Sequence, residues 1–224
     1  MDSDLINGAE WGNFEFKSVQ EKDFGAVLTH LRDSFYKDEP TQIVMGMTED
    51  RANDLDDRIR TFLVNGMSFM AICKVTRKIA GVVVMEDCFK DKKYPVLTPT
   101  SPITPKVRHF FTILEDSVNI FEKYGVEKYA AIFILSVHQD FRGCGLATEM
   151  FRRAVQVLKL MSYSIIECTF SNPFSRRIGE KFGFIEVSRT KYVDAKDAQG
   201  NFFMLHAKPD QFVNMTILDL RETQ

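Results

Sequence analysis

Between an apolar run and an amphipathic one stand Arg142, Gly143, Cys144, Gly145, Leu146, Ala147 and Thr148. A Gly-x-Gly segment at such a junction suits an anion. The first amides of a helix have no acceptor within it, the helix dipole favours negative charge there, and glycine lets the ligand approach closely. Pyrophosphate is one anion such a loop can wrap. The same glycines also suit an ordinary strand-to-helix turn. The dinucleotide fingerprint fits poorly, because its third glycine would fall at Thr148, although the acid Glu167 lies near the distance of a ribose partner. Two further sets could do chemistry. Asp38 and Glu39 precede Pro40, a pattern that also simply ends a helix. Ser171 and Ser175 lie four apart around Asn172, where Ser175 also reads as a cap.

Elements of regular period must position these residues. Residues 129–137 read as a buried strand. The helix entered at the loop carries Leu146, Met150, Ala154, Leu158 and Met161 on one face, with Glu149, Arg152, Arg153, Gln156 and Lys159 on the other. A strand over 164–171 leads to Asn172-Pro173, a side-chain cap with proline at the first helical position; Gly183 closes that helix before a strand from Phe184. Upstream, 14–19 predicts a strand and 21–36 a helix with Phe24, Val27, Leu28, Leu31 and Phe35 aligned. A helix over 50–65 turns Leu55, Ile59, Phe62 and Leu63 inward, and a hairpin of 68–75 with 78–88 turns at Thr76-Arg77. Residues 90–105, with four prolines, form either a linker or a flap over the acceptor site. One helix over 105–124 and a strand over 212–220 complete the chain.

The bulk composition fits one domain spanning 1–224. At 224 residues and 45% hydrophobic, the chain can bury a full core. A net charge of −2 argues against a broad nucleic-acid surface, and no apolar run approaches the roughly 20 residues of a membrane span. The acidic start predicts a cytoplasmic protein, and a monomer is expected. The cysteines form no Cys-x-x-Cys pair and the four histidines have no i, i+4 spacing, so no metal is expected.

The register Arg142-x-x-Gly145-x-Ala147 resembles the acetyl-CoA loop of the GNAT superfamily of N-acetyltransferases. Asn172, Gly183 and Phe184 match the same superfamily's next helix, with Ser175 for an alanine and Gly179 for the tyrosine usually assigned as acid to the thiolate. The Asp38-Glu39-Pro40 segment is similar to that of insect arylalkylamine N-acetyltransferases and their polyamine-acetylating relatives. The resemblance implies an α/β (α+β) GNAT fold, a central mixed, mostly antiparallel sheet with helices on both faces. It implies acetyl-CoA as co-substrate and a small-molecule amine as acceptor. It assigns Glu39 as catalytic base, Ser171 and Ser175 beside the thioester, and Asp38, Pro40 and His206 to the substrate; His206 also reads as an ordinary core histidine. Leu135, Ser136 and Val137 would pair with pantetheine as a strand edge does, and residues 142–148 with Asn172 would hold the rest of CoA.

Such chemistry sets a definite demand. An alkyl amine titrates near pH 10, so about one molecule in a thousand is nucleophilic at neutral pH. The enzyme must bind a cation and remove its proton, which Glu39 can do if burial and a like charge at Asp38 raise its basicity. The expected reaction is direct acetyl transfer to an arylalkylamine in a ternary complex. The alternatives are a polyamine or agmatine acetyltransferase and a non-catalytic CoA-binding module.

Overall fold

A computed structural model describes residues 4–91 and 95–222; the first residues of the acidic start (1–3), part of the proline-rich stretch (92–94) and 223–224 lie outside them. Eight strands form one sheet among the described residues: β1 (Glu10–Trp11), β2 (Phe14–Ser18), β3 (Phe69–Cys73), β4 (Ile79–Phe89), β5 (Lys128–Val137), β6 (Ile165–Phe170), β7 (Ile185–Lys191) and β8 (Phe212–Asp219). Their spatial order is β1-β2-β3-β4-β5-β6-β8-β7, antiparallel except for the β5–β6 pair. The expected mixed, mostly antiparallel sheet is therefore present.

Strand alternation distributes side chains to two faces. Along β4, Val82 and Val84 join α1 (Phe24–Ser34) and α3 (Glu49–Leu63), whereas Val83 and Met85 join α6 (Leu146–Leu160) on the other side. Leu146, Met150, Ala154 and Leu158 of α6 are essentially inaccessible, and burial of each large apolar side chain stabilises the fold by about 1.5–3 kcal/mol. Two residues expected on the outer face, Glu149 and Arg153, are also buried. Arg153 donates to Glu149 at 2.7 Å, stands 4.0 Å over the Phe16 ring and donates to the Leu5 carbonyl. The N-terminal segment covers this side of the helix and satisfies the charges there.

The helix expected over 105–124 is two helices, α4 (Thr104–Asp116) and α5 (Ile120–Tyr124). Asn119 interrupts them with φ +33° and accepts from the Glu122 amide, restarting the chain in a new direction. Nor does a helix run up to Pro40. α1 ends at Ser34, and Glu39 caps a separate short helix, α2 (Pro40–Met45).

Two irregularities open the sheet. β5 pairs with β6 only at Ala130 with Ile166 and Ala131 with Glu167, and beyond those residues the strands part. The β4–β5 register shifts between Val84 and Met85, leaving Phe133 unpaired in β5 and turned against Phe62, with ring centroids 4.7 Å apart. Beyond that parting no strand pairs with β5 on the β6 side along residues 135–137, where the Val137 carbonyl accepts from Arg142 instead, while the other edge of β5 is paired to β4.

Candidate active site

A cavity of about 390 Å³ lies where β5 and β6 part, walled by the turn after α1, by α3 and α4 and by the start of α2. Glu39, Thr41 and Ser171 line it together. Glu39 is held from both sides. The Gln42 amide donates to its Oε2 at 2.8 Å and the Thr41 hydroxyl donates to its Oε1 at 2.8 Å. The first bond is an N-terminal helix cap, and Pro40 at the first helical position fixes the backbone that makes it. Buried Arg51 places a cation near the carboxylate while donating to Thr104 at 3.0 Å.

The Thr41 oxygen also lies 2.7 Å from the phenol oxygen of Tyr192, and the Ser171 side chain acts on the same phenol electrostatically. Tyr192 is fully buried, and desolvation reinforced by the charge of Glu39 pushes its phenol well above the usual range, so the phenol keeps its proton. Glu39, Thr41 and Tyr192 thus form one hydrogen-bonded set, with Ser171 from a third part of the sequence acting on its phenol.

Asp38 does not stand beside Glu39 as a like charge. It is exposed and accepts from Arg142 at 2.6 Å, while Arg142 Nε donates to the Val137 carbonyl at 2.9 Å. Arg142 is therefore a clamp between the loop and the Glu39 segment as much as a free cation.

The loop has the backbone an anion needs. Gly143 and Gly145 have φ of +78° and +88°, in the left-handed region. The first intrahelical bond of α6 runs from the Glu149 amide to the Gly145 carbonyl, at 3.1 Å. The amides of Gly145, Leu146, Ala147 and Thr148 precede it and have no acceptor within the helix. A Cβ on Gly145 would meet Trp11 at 3.5 Å, an ordinary contact, so the backbone angle rather than space demands glycine. Exposed Cys144 donates to the Phe141 carbonyl at 3.1 Å. Ser136 Oγ lies 3.1 Å from His30, whose burial, with His138 nearby, pushes it down to about 4 and keeps it neutral.

The remaining expected residues divide. Asn172 caps α7 (Pro173–Lys181) through the Phe174 amide. Ser175 does not cap; its hydroxyl donates back to the Asn172 carbonyl at 3.0 Å. His206 is exposed in a turn, neither in the core nor among the residues lining the cavity. At Gly179, a Cβ would approach the Phe170 ring to 2.4 Å, so that ring occupies the space a tyrosine side chain would need.

Also lining the cavity are acids that sequence periodicity did not single out for this role. Glu167, which could have been a ribose partner, instead faces the cavity from β6 beside Glu86 and Glu115. Desolvation, reinforced by those two neighbours, pushes Glu167 up to about 8, while Thr169 donates to it at 2.7 Å. Thr41 carried a local signal, since it follows Glu-Pro in a helix first turn. Tyr192 and the acid trio carried none, because residues facing one cavity from different strands share no spacing in sequence.

A model of the acetyltransferase (GNAT) family matches residues 31–184. The chain is similar in structure to arylalkylamine N-acetyltransferase 2 of Aedes aegypti, with a TM-score of 0.81 and 22% identity over 93% of this chain and 100% of that one. A mosquito arylalkylamine N-acetyltransferase like 5b gives a TM-score of 0.78 and 18% identity, over 92% and 100%. The Drosophila melanogaster polyamine N-acetyltransferase that forms N-acetylagmatine gives the same values, 0.78 and 18%, over 92% and 100%. At these identities the likeness is one of fold.

Proposed function

The chain belongs to the GNAT acetyltransferase family, and on that premise we propose that it transfers the acetyl group of acetyl-CoA to the primary amine of a small arylalkylamine. The whole chain serves as one catalytic domain. The observation that carries this reading is the cavity at the parting of β5 and β6, with Glu39 and Ser171 on its wall. The unpaired β5 edge at 135–137 suits the amides of pantetheine, and the amides of 145–148 suit the pyrophosphate. Glu39 takes the proton of the attacking amine, and the nitrogen displaces the thiolate directly in a ternary complex. Phe133 and Phe111 provide apolar wall for an aromatic acceptor.

A second reading, a dicationic acceptor such as agmatine or a polyamine, is favoured by Glu86, Glu115 and Glu167 at the same cavity. Their carboxyls would neutralise a second cationic group while Glu39 serves the first. The non-catalytic module rested on glycine at 179, and packing against Phe170 gives that glycine a structural reason.

Release of CoA thiol, measured with dopamine, serotonin, tyramine, histamine, agmatine and spermidine, tests these readings together. Arylalkylamines should be the best substrates by kcat/KM. Preference for agmatine or spermidine transfers the assignment to the second reading, and no turnover with any amine overturns both.

A further inference from the structure

We propose that Thr41 and Tyr192 form a buried hydroxyl relay joining Glu39 to Ser171. The inference rests on the reading of Glu39 as base and extends it to Thr41 and Tyr192. The first two links are short, 2.8 Å from Thr41 to Glu39 and 2.7 Å from Thr41 to Tyr192, and the Ser171 hydroxyl acts on the same phenol, with the third link closing as that hydroxyl turns to it during the reaction. Thr41 and Tyr192 have 1% and 0% of their surface accessible, so bulk water does not compete along this part of the path. Both ends, Glu39 and Ser171, open on the cavity.

The relay answers a need of the chemistry. An ammonium loses one proton to solvent on becoming the free amine; the attacking amine then loses a second, and one proton must reach the departing thiolate, a task whose usual tyrosine is replaced by Gly179 under Phe170. Glu39 accepts the amine proton. With the hydroxyls turned toward Ser171, the carboxyl returns a proton to Thr41 Oγ1, Thr41 passes its own to the Tyr192 oxygen, and Tyr192 passes its own to Ser171 Oγ. Ser171 releases its proton to the sulfur that has taken the electron pair of the broken C–S bond. Each hydroxyl gains and loses one proton, the carboxylate is regenerated, and no further reactant is required. The direction is downhill, since a thiol is a weaker acid than a carboxylic acid by about four pH units. Thr41 and Tyr192 act through their neighbours and are positioning residues.

A second structural role could be met without the phenol. The Tyr192 ring lies tilted beside Phe110, with centroids 6.0 Å apart, and a phenylalanine would keep that contact. This makes Tyr192→Phe and Thr41→Val clean deletions of hydroxyl groups. They should be compared with Glu39→Gln and Thr41→Ser in thiol release from acetyl-CoA with the best amine of the panel. We expect each hydroxyl deletion to lower kcat about tenfold or more, with the KM for acetyl-CoA nearly unchanged. The double variant should be little worse than either single one, because one broken link stops the chain. Thr41→Ser should restore the rate. The solvent deuterium effect on kcat should fall in the variants relative to the wild type. Wild-type kcat and isotope effect in both deletions, with Glu39→Gln still crippled, overturn the relay and leave the base standing. Near wild-type turnover in Glu39→Gln removes the base as well. If Tyr192→Phe loses thermal stability and rate together while Thr41→Val loses neither, the hydroxyls serve packing alone and the relay is wrong.

Discussion

Arg142 Nη2 donates to Asp38 Oδ2 at 2.6 Å, tying the glycine loop after β5 to the segment that presents Glu39. Both side chains are about half exposed, so the pair contributes at most about 1 kcal/mol to stability. Its larger consequence is electrostatic, because an anion bound in the loop competes with Asp38 for Arg142. Asp38→Asn should leave the melting temperature nearly unchanged and tighten CoA binding about two- to fivefold, an effect that fades at high salt. Calorimetric titration with CoA at low and high ionic strength checks this, and weaker binding in the variant would mean that Asp38 orients Arg142 toward the phosphates.

Glu39→Gln should reduce turnover about a hundredfold or more while CoA affinity stays nearly intact. The loss should ease at high pH, where free amine is supplied by the solvent. Replacement also puts an amide against two donors, the Gln42 N–H and the Thr41 hydroxyl, so one of them must reorient. Rates from pH 6 to 10 give the answer; parallel profiles for wild type and variant would argue against a base at this position.

Gly145 has φ +88°, which a β-branched residue adopts only with strain. Gly145→Val should therefore disturb the first turn of α6 and misplace its free amides. At a hundredfold excess over its dissociation constant, acetyl-CoA should stabilise the wild type by about 2.7 kcal/mol. The variant should lose most of that shift. Thermal melts with acetyl-CoA, and with NAD as a control, measure it; stabilisation by NAD in place of acetyl-CoA would restore the dinucleotide reading of the loop.

Glu167 is pushed up to about 8, so its carboxyl holds a proton at neutral pH in the free enzyme. Because the folded-state value exceeds the unfolded one, the folded protein binds more protons across the window from 4.5 to about 8, and this group's contribution to stability declines as pH rises through it. A cationic amine beside the carboxyl favours ionisation. Amine binding at pH 7 should release a proton, and affinity should rise as pH approaches 8. Glu167→Gln should remove that proton release and weaken a diamine more than tyramine. Titration in buffers of different ionisation enthalpy detects the proton; its absence in the wild type separates Glu167 from the amine.

His30 titrates in the opposite sense to a paired histidine. It is pushed down to about 4 from 6.5, so the unfolded chain takes up its proton first as pH falls. Stability from this residue is complete above 6.5 and declines toward 4, by up to about 3 kcal/mol. Urea unfolding at pH 7 and pH 4.5 should show the decline, and His30→Gln should flatten it.

The sequence by itself determined the loop, the cap at Asn172, the apolar face of α6 and the strands that bracket them. All of these depend on residues close in the chain: a period of 3.6 or 2, or a side chain bonding an amide two residues away. Even the expected acid at Glu39 stood beside its own helix signal, Pro40. Tertiary structure decided what those residues meet. Asp38 turned to Arg142 because the chain folds the loop against it, 104 residues later. Glu149 and Arg153 became buried because the N-terminal segment lies across α6. The link from Glu39 through Thr41 to Tyr192 spans 151 residues between its hydroxyls, and it exists only because β7 runs antiparallel to β8 and carries the chain to Tyr192 at its end. A cavity gathers side chains from many elements, and no spacing along one element records that gathering.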